Sequence, residues 1–154
     1  MTRADKAKQY FLNGYNCAQA VAMAFADLMD MDEYTAARLT SGFGGGVGRM
    51  REVCGSVSGM AFVMSSLYGY GDAAETENKK QLYGEIQQLA EEFRAQNGSI
   101  VCRELLGLSH KGPDSPVPEP RTAQYYQKRP CHELVRCSAD ILERYIESRQ
   151  TASE

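Results

Sequence analysis

Cysteine is the residue type in this sequence with the clearest capacity for chemistry. The five cysteines are Cys17, Cys54, Cys102, Cys131 and Cys137. A cysteine thiolate can ligate a metal ion, hold an iron–sulfur cluster or attack a disulfide. No two of these residues have C-x-x-C spacing, which a thioredoxin-like motif, a zinc knuckle or a ferredoxin run requires. Any site that joins several cysteines must therefore be assembled by the fold from distant segments.

The residues around Cys17 and Cys54 predict that both lie near the start of a helix. Asn16 is a good N-cap residue, and Gln19 stands at the position that completes a capping box. Cys54 lies in the first turn or so of a helix predicted to begin near position 50, after the glycine tract 42–48. Both thiols are therefore expected at the amino-terminal end of a helix.

Cys102 and Cys131 have comparable positions further along the chain. Ser99 is the predicted N-cap of a short helix that contains Cys102, and Cys131 follows Pro130, a favoured residue of a first helical turn. Free backbone N–H groups and the helix dipole stabilise an anion at a helix start, and such a position lowers the pKa of a thiol. These two cysteines, together with Cys17 and Cys54, are candidate redox thiols and candidate metal ligands.

The remaining cysteine and the two histidines are weaker candidates. Cys137 has no predicted helix start beside it and is interpreted as a small buried hydrophobe. His110 lies in a proline-rich stretch and His132 in a first helical turn, so both are interpreted as solvent-exposed. No Ser/His/Asp or paired-carboxylate pattern indicates a hydrolase.

Two glycine-rich stretches supply candidate cofactor-binding residues. Gly55 and Gly59 flank Cys54 inside a predicted helix, where each costs about 1 kcal/mol relative to alanine. Close helix packing and room beside the sulfur are both open explanations. Gly45 and Gly46 belong to the tract 42–48, which lacks the Gly-Lys-Ser/Thr ending of a phosphate loop.

The glycine tract has two interpretations. It is either a plain connector, or it supplies backbone donors around an anionic site to which Arg49 and Arg51 add positive charge. The sequence does not decide between them.

The elements that must position these residues are predicted to be helices, because the apolar residues recur with helical periodicity. We predict an all-α, single-domain helical bundle of about five to seven helices over residues 1–154, with a Gly-rich loop and a Pro-rich loop. The Pro-rich loop spans 108–129, where four of the five prolines fall. Proline disfavours helix, and an irregular segment of this length is uncommon unless it is functional or disordered. We interpret it as an ordered loop or lid across the bundle.

Composition excludes several classes of protein. The chain has 154 residues, and 17 Lys and Arg against 20 Asp and Glu give a net charge of -3, which argues against a nucleic-acid binder that relies on positive charge. No apolar run approaches the roughly 20 residues of a membrane span, and the start of the chain lacks a signal sequence. An odd cysteine count without an export signal is a poor match to a disulfide framework. The sequence therefore predicts a cytoplasmic protein.

Five blocks of the sequence resemble the C_GCAxxG_C_C family of redox-active proteins. The blocks are 14–21 (GYNCAQAV), 42–46 (GFGGG), 54–59 (CGSVSG), 102–107 (CRELLG) and 129–135 (RPCHELV). Ser56 stands where the family's label leads us to expect alanine, and Cys137 is additional to the four characteristic cysteines. The resemblance implies a redox role. A related domain lies beside haem in some cytochromes of anaerobes, where an iron–sulfur centre has been proposed.

Four hypotheses follow for the function. In the first, which is favoured because exchange by two cysteines does not explain four similar placements, Cys17, Cys54, Cys102 and Cys131 ligate an iron–sulfur cluster for electron transfer. In the second, two of them exchange dithiol for disulfide with a redox partner protein. The third is a Cys₄ zinc site on an interaction module, and the fourth is an inert bundle with cysteines in its core. An enzyme activity beyond electron or thiol transfer has no support, and homodimer formation is left open.

Overall fold

The computed structural model describes residues 1–153 and consists of helices joined by turns, with one isolated β-bridge in that range, between Val53 and Val101. Glu154, included in the predicted domain, lies outside the described residues. The helices are α1 (Arg3–Leu12), α2 (Cys17–Met23), α3 (Glu33–Thr40), α4 (Gly44–Val47), α5 (Gly55–Tyr68), α6 (Thr76–Asn97), α7 (Cys102–Leu105), α8 (Ala123–Lys128) and α9 (Cys131–Ser153), with a 3-10 turn at Ser41–Phe43. The predicted all-α bundle is confirmed. Within residues 1–153, none of these helices combines the length and apolarity that a membrane crossing needs.

Helix α2 lies at the centre of the bundle and contacts α1, α3, α5 and α9. Its sequence is almost entirely small or apolar, and six of its seven residues are buried. The contact with α5 is close because Gly59 faces this helix, where an added Cβ atom would come within 2.9 Å of Val21 Cβ. Helix α9 packs along α1 and buries its apolar face, including Val135 and Leu142. Burial of this apolar surface stabilises the bundle.

Side-chain caps fix where several helices begin. The Asn16 side chain accepts a hydrogen bond from the Gln19 backbone N–H, and the Gln19 side chain accepts one from the Asn16 backbone N–H. The predicted capping box is therefore confirmed. Thr2 caps α1 by accepting from the Asp5 N–H, and Asp32 caps α3 in the same way.

Helix α5 begins later than predicted, at Gly55 rather than near position 50. The reason is a long-range backbone pairing that holds the preceding residues extended. The Cys54 N–H donates to the Ile100 carbonyl at 2.8 Å, and the Cys102 N–H donates to the Glu52 carbonyl at 2.6 Å. This pairing also brings the segments that carry Cys54 and Cys102 side by side.

Two further boundaries differ from the predictions. Val101, rather than Ser99, directly precedes α7, and the Ser99 hydroxyl accepts a hydrogen bond from the Val101 N–H instead of capping the helix. The Pro-rich segment 108–129 was predicted to be irregular throughout, which is wrong at its end, where α8 spans Ala123–Lys128. The prolines stop at Pro120, and the Thr122 hydroxyl then caps α8 by accepting from the Tyr125 N–H.

The glycine tract forms a tight, left-handed turn. Gly45 and Gly46 have φ values of 66° and 68°, and Val47 and Arg49 also have positive φ, at 65° and 64°. A β-branched residue such as valine rarely adopts this conformation. Hydrogen bonds to the Gly45 and Gly46 carbonyls from the N–H groups at positions 51 and 52 hold the turn. The tract is therefore a defined backbone structure and not a plain connector.

Candidate functional site

One cavity of about 390 Å³ brings together four of the five cysteines. Cys17, Cys54, Cys102 and Cys131 all line it, and all four are buried with free thiols. Cys17, Cys102 and Cys131 are the first residues of α2, α7 and α9, and Cys54 is the N-cap residue of α5. The fold thus assembles in one place four thiols that are far apart in the sequence.

The thiols of Cys17 and Cys131 form a hydrogen-bonded pair within the cavity. The hydrogen bond that Cys17 donates to the Cys131 sulfur, together with burial, raises the pKa of Cys17 well above its usual range. The same hydrogen bond lowers the pKa of Cys131, and the positive charges of Arg129 and Arg121 lower it further. The arrangement favours a thiolate at Cys131 beside a neutral thiol at Cys17.

The other two cysteines are held as neutral thiols. Burial raises the pKa of Cys54 to about 11. Burial also raises the pKa of Cys102, although the Arg51 guanidinium donates to its sulfur at 3.6 Å and acts in the opposite direction. Among the four thiols of the cavity, Cys131 is thus the one whose pKa the surroundings lower.

Two arginines of the cavity wall are paired with carboxylates of the Pro-rich segment. Arg51 Nε donates to Asp114 at 2.7 Å, and Arg129 Nη2 donates to Glu119 at 2.5 Å. Arg51 itself is buried, so it links the Cys102 sulfur on one side to Asp114 on the other. The position of Arg129 in the cavity wall could not be predicted from the sequence, because nothing local to this residue indicates where its partner lies.

Two other arginines of the wall contact only carbonyl oxygens and aromatic rings within residues 1–153. Arg49 Nε donates to the Ser115 carbonyl at 2.6 Å. Arg121 donates to the carbonyls of Phe11 at 2.8 Å and Tyr15 at 3.0 Å, and its guanidinium lies 4.2 Å from the centre of the Phe11 ring. Carbonyl oxygens do not neutralise a positive charge. Arg49 and Arg121 therefore lack a carboxylate at ion-pair distance among the described residues, and the charge of Arg49 acts on Asp114 only at longer range.

The segment 108–122, which we name the strap, covers the cavity. Pro116, Pro118 and Glu119 of the strap line the cavity wall. The Asp114 N–H donates to the Arg49 carbonyl at 3.0 Å, next to the ion pair that Asp114 makes with Arg51. The expected position of the Pro-rich segment across the bundle agrees with this arrangement, apart from the helix α8 at its end.

The candidate glycines have two different positions. Gly45, Gly46 and Gly55 line the cavity, whereas Gly59 does not and serves the contact between α2 and α5. A Cβ atom on Gly46 would lie 2.7 Å from Cys102 Cβ, and one on Gly55 would lie 3.0 Å from Cys17 Cβ. Glycine at these two positions therefore lets the backbone approach the cysteines, while Gly59 explains the close helix packing.

Cys137 and both histidines lie outside the cavity lining. Cys137 was interpreted as buried, but it is half-buried and hydrogen-bonded to Asn97 at 3.4 Å and Gln96 at 3.3 Å, near the edge of α6. His110 is exposed and lies 2.9 Å from Asp114. His132 is partly buried, with Nε2 3.9 Å from Glu133.

The four cysteines of the cavity are also a possible donor set for a metal. Within the described residues, no group of three or more Cys, His, Asp or Glu side chains is already close enough to hold one metal ion. A Cys₄ zinc site would therefore require these side chains to move. An iron–sulfur cluster is a larger body that takes four thiolates around it, and four thiols on one cavity match that donor chemistry. Cluster binding would require them to lose protons and to draw closer.

Comparison with known proteins gives one family match. A family model described as "Putative redox-active protein (C_GCAxxG_C_C)" matches residues 15–145. The matched range contains all five cysteines. No curated protein and no solved structure matches the chain.

Proposed function

Because the chain belongs to the C_GCAxxG_C_C family of redox-active proteins, we propose that it is a thiol redox protein in which Cys17 and Cys131 cycle between dithiol and disulfide. The observation that carries the proposal is the contact between these two thiols, with opposite pKa shifts at its two ends. A reactive dithiol needs one sulfur that is an anion near neutral pH and a second sulfur within reach of it.

The roles of the two cysteines follow from this polarity. The Cys131 thiolate attacks one sulfur of a substrate disulfide, so that a mixed disulfide forms and one thiolate leaves. The leaving thiolate takes up a proton, and Cys17 gives its own proton to solvent. The Cys17 sulfur then attacks the Cys131 sulfur and expels the second substrate thiolate. The second substrate thiolate takes up a proton from solvent. The protein dithiol is thus oxidised to one disulfide, and the substrate disulfide is reduced to two thiols.

The cavity wall supports both steps. The charges of Arg129 and Arg121 stabilise the thiolate of Cys131 before it reacts. Burial keeps Cys54 protonated, and a neutral thiol is a poor nucleophile. Competing attack by this neighbouring thiol is therefore suppressed.

A second candidate function is electron transfer by an iron–sulfur cluster. The observation that favours it is the presence of four cysteines on one cavity, since exchange by a pair gives Cys54 and Cys102 no chemical role. Cys17, Cys54, Cys102 and Cys131 would hold the cluster, which supplies one-electron redox chemistry when bound. The four arginines of the wall would offset the negative charge of the thiolates, and Gly46 and Gly55 keep the nearby backbone free of side chains.

Anaerobic purification followed by an absorption spectrum, metal analysis and thiol counting tests both functions. For dithiol exchange we expect a colourless, metal-free protein that loses two thiols and two hydrogens of mass on mild oxidation, with a Cys17–Cys131 link in the peptide map. Cys17→Ser and Cys131→Ser should each abolish this change, whereas Cys137→Ser should not. A brown protein that dithionite bleaches would establish the cluster instead. A disulfide at any other pair would contradict our assignment.

A further inference from the structure

The reactive pair lies deep under the strap, and this limits what can reach it. Cys131 is 9% exposed and Cys17 is 9% exposed. Pro116 and Pro118 of the strap form part of the wall of the cavity that contains them. The cavity volume of about 390 Å³ falls in the range of small-molecule sites. A disulfide on the surface of a folded protein has no direct approach to these sulfurs while the strap is in place.

Contacts at two places along the strap hold it over the cavity. The Arg51–Asp114 ion pair and the Arg49 hydrogen bond to Ser115 hold one end. The Arg129–Glu119 ion pair holds the part nearer to α8. These contacts favour a substrate that enters the cavity over one that displaces the strap.

The charge of the wall indicates what kind of small molecule fits. Arg51 and Arg129 form ion pairs with carboxylates, whereas neither Arg49 nor Arg121 forms one among residues 1–153. The Asp114 carboxylate is affected by the charge of Arg49 only at longer range. Arg121 is held in place by two carbonyl acceptors and by the rings of Phe11 and Tyr125, at 4.2 Å and 5.1 Å. A guanidinium has five N–H donors, and only two of those of Arg121 are used in these hydrogen bonds.

A cation that is oriented in advance binds an oxyanion well, because little conformational freedom is lost on binding. The same cavity also has an apolar part. It is lined by Leu105, Leu106 and Leu134 together with the rings of Phe11 and Tyr125. The lining therefore suits a molecule that has both a short aliphatic body and an anionic end.

We propose that the substrate of this site is a small organic disulfide that carries carboxylate groups, and that Arg121 and Arg49 bind a carboxylate while Cys131 attacks the disulfide. The inference rests on the proposed dithiol function. The electron balance is the same as above: the small disulfide is reduced to two thiols, and Cys17 and Cys131 become a disulfide. Arg121 is a specificity-determining residue for this reaction.

The test compares three small disulfides that differ mainly in charge: dithiodipropionate, which is anionic, hydroxyethyl disulfide, which is neutral, and cystamine, which is cationic. The rate at which each oxidises the reduced protein is followed by thiol loss and by mass. Each rate is divided by the rate of the same disulfide with free N-acetylcysteine, which removes intrinsic reactivity. We expect the normalised rate for dithiodipropionate to be about tenfold or more higher than that for the neutral disulfide, because one charged hydrogen bond contributes enough free energy for a ratio of this size. Cystamine should have the lowest normalised rate.

Variants of the cavity arginines separate binding from folding. Arg121→Gln and Arg49→Gln should remove most of the preference for dithiodipropionate over hydroxyethyl disulfide. Arg121→Gln should also slow both disulfides, because Arg121 stabilises the Cys131 thiolate, so the ratio of the two normalised rates is the quantity compared. Arg121→Lys should retain part of the preference, because the charge remains and the fork geometry is lost. Arg38→Gln, an exposed change on α3 outside the cavity lining, is the matched control and should behave as the parent protein does.

The outcomes distinguish this inference from the proposed function. If hydroxyethyl disulfide and dithiodipropionate form the Cys17–Cys131 disulfide at equal normalised rates, the anionic substrate class is wrong and the dithiol function stands. An equal slowing of both disulfides in Arg121→Gln, with their ratio unchanged, would show that Arg121 acts only through the Cys131 thiolate or through the fold, and would also overturn the inference. If none of the three disulfides forms the Cys17–Cys131 link, the dithiol function itself fails.

Discussion

The Cys17 thiol donates a hydrogen bond to the Cys131 sulfur across the junction of α2 and α9. Both residues are the first of their helices, so two helix starts face the same small space. The hydrogen bond favours the thiolate form at Cys131 and the neutral thiol at Cys17, so the two residues of the pair are chemically different. Its chemistry is set by packing between distant segments and not by a short motif.

We predict that Cys131 reacts with iodoacetamide at lower pH than the other cysteines of the cavity. Its pKa is lowered from the ordinary value of a cysteine thiol, because the hydrogen bond from Cys17 and the charge of Arg129 favour its thiolate. Its alkylation rate should therefore already be substantial near neutral pH, whereas that of Cys54 should rise only towards a midpoint of about 11. Peptide mass spectrometry after brief alkylation at a series of pH values measures each site.

Cys17→Ala provides the control for the cause of this difference. Without the hydrogen bond, the alkylation midpoint of Cys131 should move to higher pH. Cys137→Ala, which changes a thiol outside the cavity lining, should leave the midpoint where it was. Alkylation of Cys54 ahead of Cys131 in the parent protein would contradict the assigned polarity of the pair.

We predict that Gly46→Ala destabilises the protein and that Gly84→Ala does not. Gly46 has a φ of 68°, and an added Cβ would lie 2.6 Å from the Glu52 backbone nitrogen and 2.7 Å from Cys102 Cβ. Strain of this kind costs about 1–3 kcal/mol. Gly84 lies in α6 with nothing within 4 Å of an added Cβ, so alanine there should stabilise by about 0.5–1 kcal/mol. Urea unfolding of both variants measures the difference, and equal stabilities would contradict the tight turn.

We predict that Asp114→Asn loosens the strap and exposes Cys102. The substitution removes the charge that pairs with Arg51 at 2.7 Å. Partly exposed ion pairs contribute at most about 1 kcal/mol, so the alkylation rate of Cys102 should rise by about two- to fivefold. Asp140→Asn, which removes the partner of Arg144 on exposed α9 surface, is the matched control. An unchanged rate in Asp114→Asn would mean that the other contacts of the strap are sufficient.

The same ion pair gives a pH dependence with a defined sign. The Arg51 guanidinium holds the pKa of Asp114 below its usual value. A carboxyl group with a lowered pKa in the folded protein contributes stability above its unfolded pKa of about 3.9 and loses that contribution as the pH falls through the folded value. The strap should therefore stay closed across the neutral range and loosen only in acid. Hydrogen–deuterium exchange of the Asp114 N–H, which donates to the Arg49 carbonyl, would detect this at a series of low pH values once the intrinsic exchange rate is divided out.

Local sequence patterns were sufficient for several parts of the molecule. The Asn16–Gln19 capping box involves residues three apart, so the sequence alone identifies it. The four cysteines were also picked out correctly as residues near helix starts, since Asn16 and Pro130 mark two of those starts directly. The all-α fold class follows from the spacing of apolar residues within each helix, which is a local property of the sequence.

The parts that were missed depend on contacts between distant segments. Helix α5 begins late because residues 51–54 pair with residues 100–103, which no local pattern near Cys54 indicates. Arg121 reaches the carbonyls of Phe11 and Tyr15 on the other side of the bundle, so its place in the cavity wall is decided by the fold. The polarity of the Cys17–Cys131 pair has the same origin, because it needs both helix starts and the neighbouring arginines.

We predict that any cluster or metal binding at the four cysteines is strongly pH-dependent and releases protons. Burial raises the pKa of Cys54 and Cys102, and the hydrogen bond to Cys131 raises that of Cys17, so these three thiols must be deprotonated before they ligate. Anaerobic reconstitution with iron and sulfide should therefore be less complete at lower pH. The release of protons on binding can be measured as a fall in pH in weakly buffered solution. Cys54→Ser should bind less iron, and Cys137→Ser should bind as much as the parent.

Removal of the iron should leave the helical circular-dichroism signal intact, because the apolar packing of α1, α2, α5 and α9 does not depend on the site. Loss of that signal on iron removal would show instead that the cluster holds the fold together.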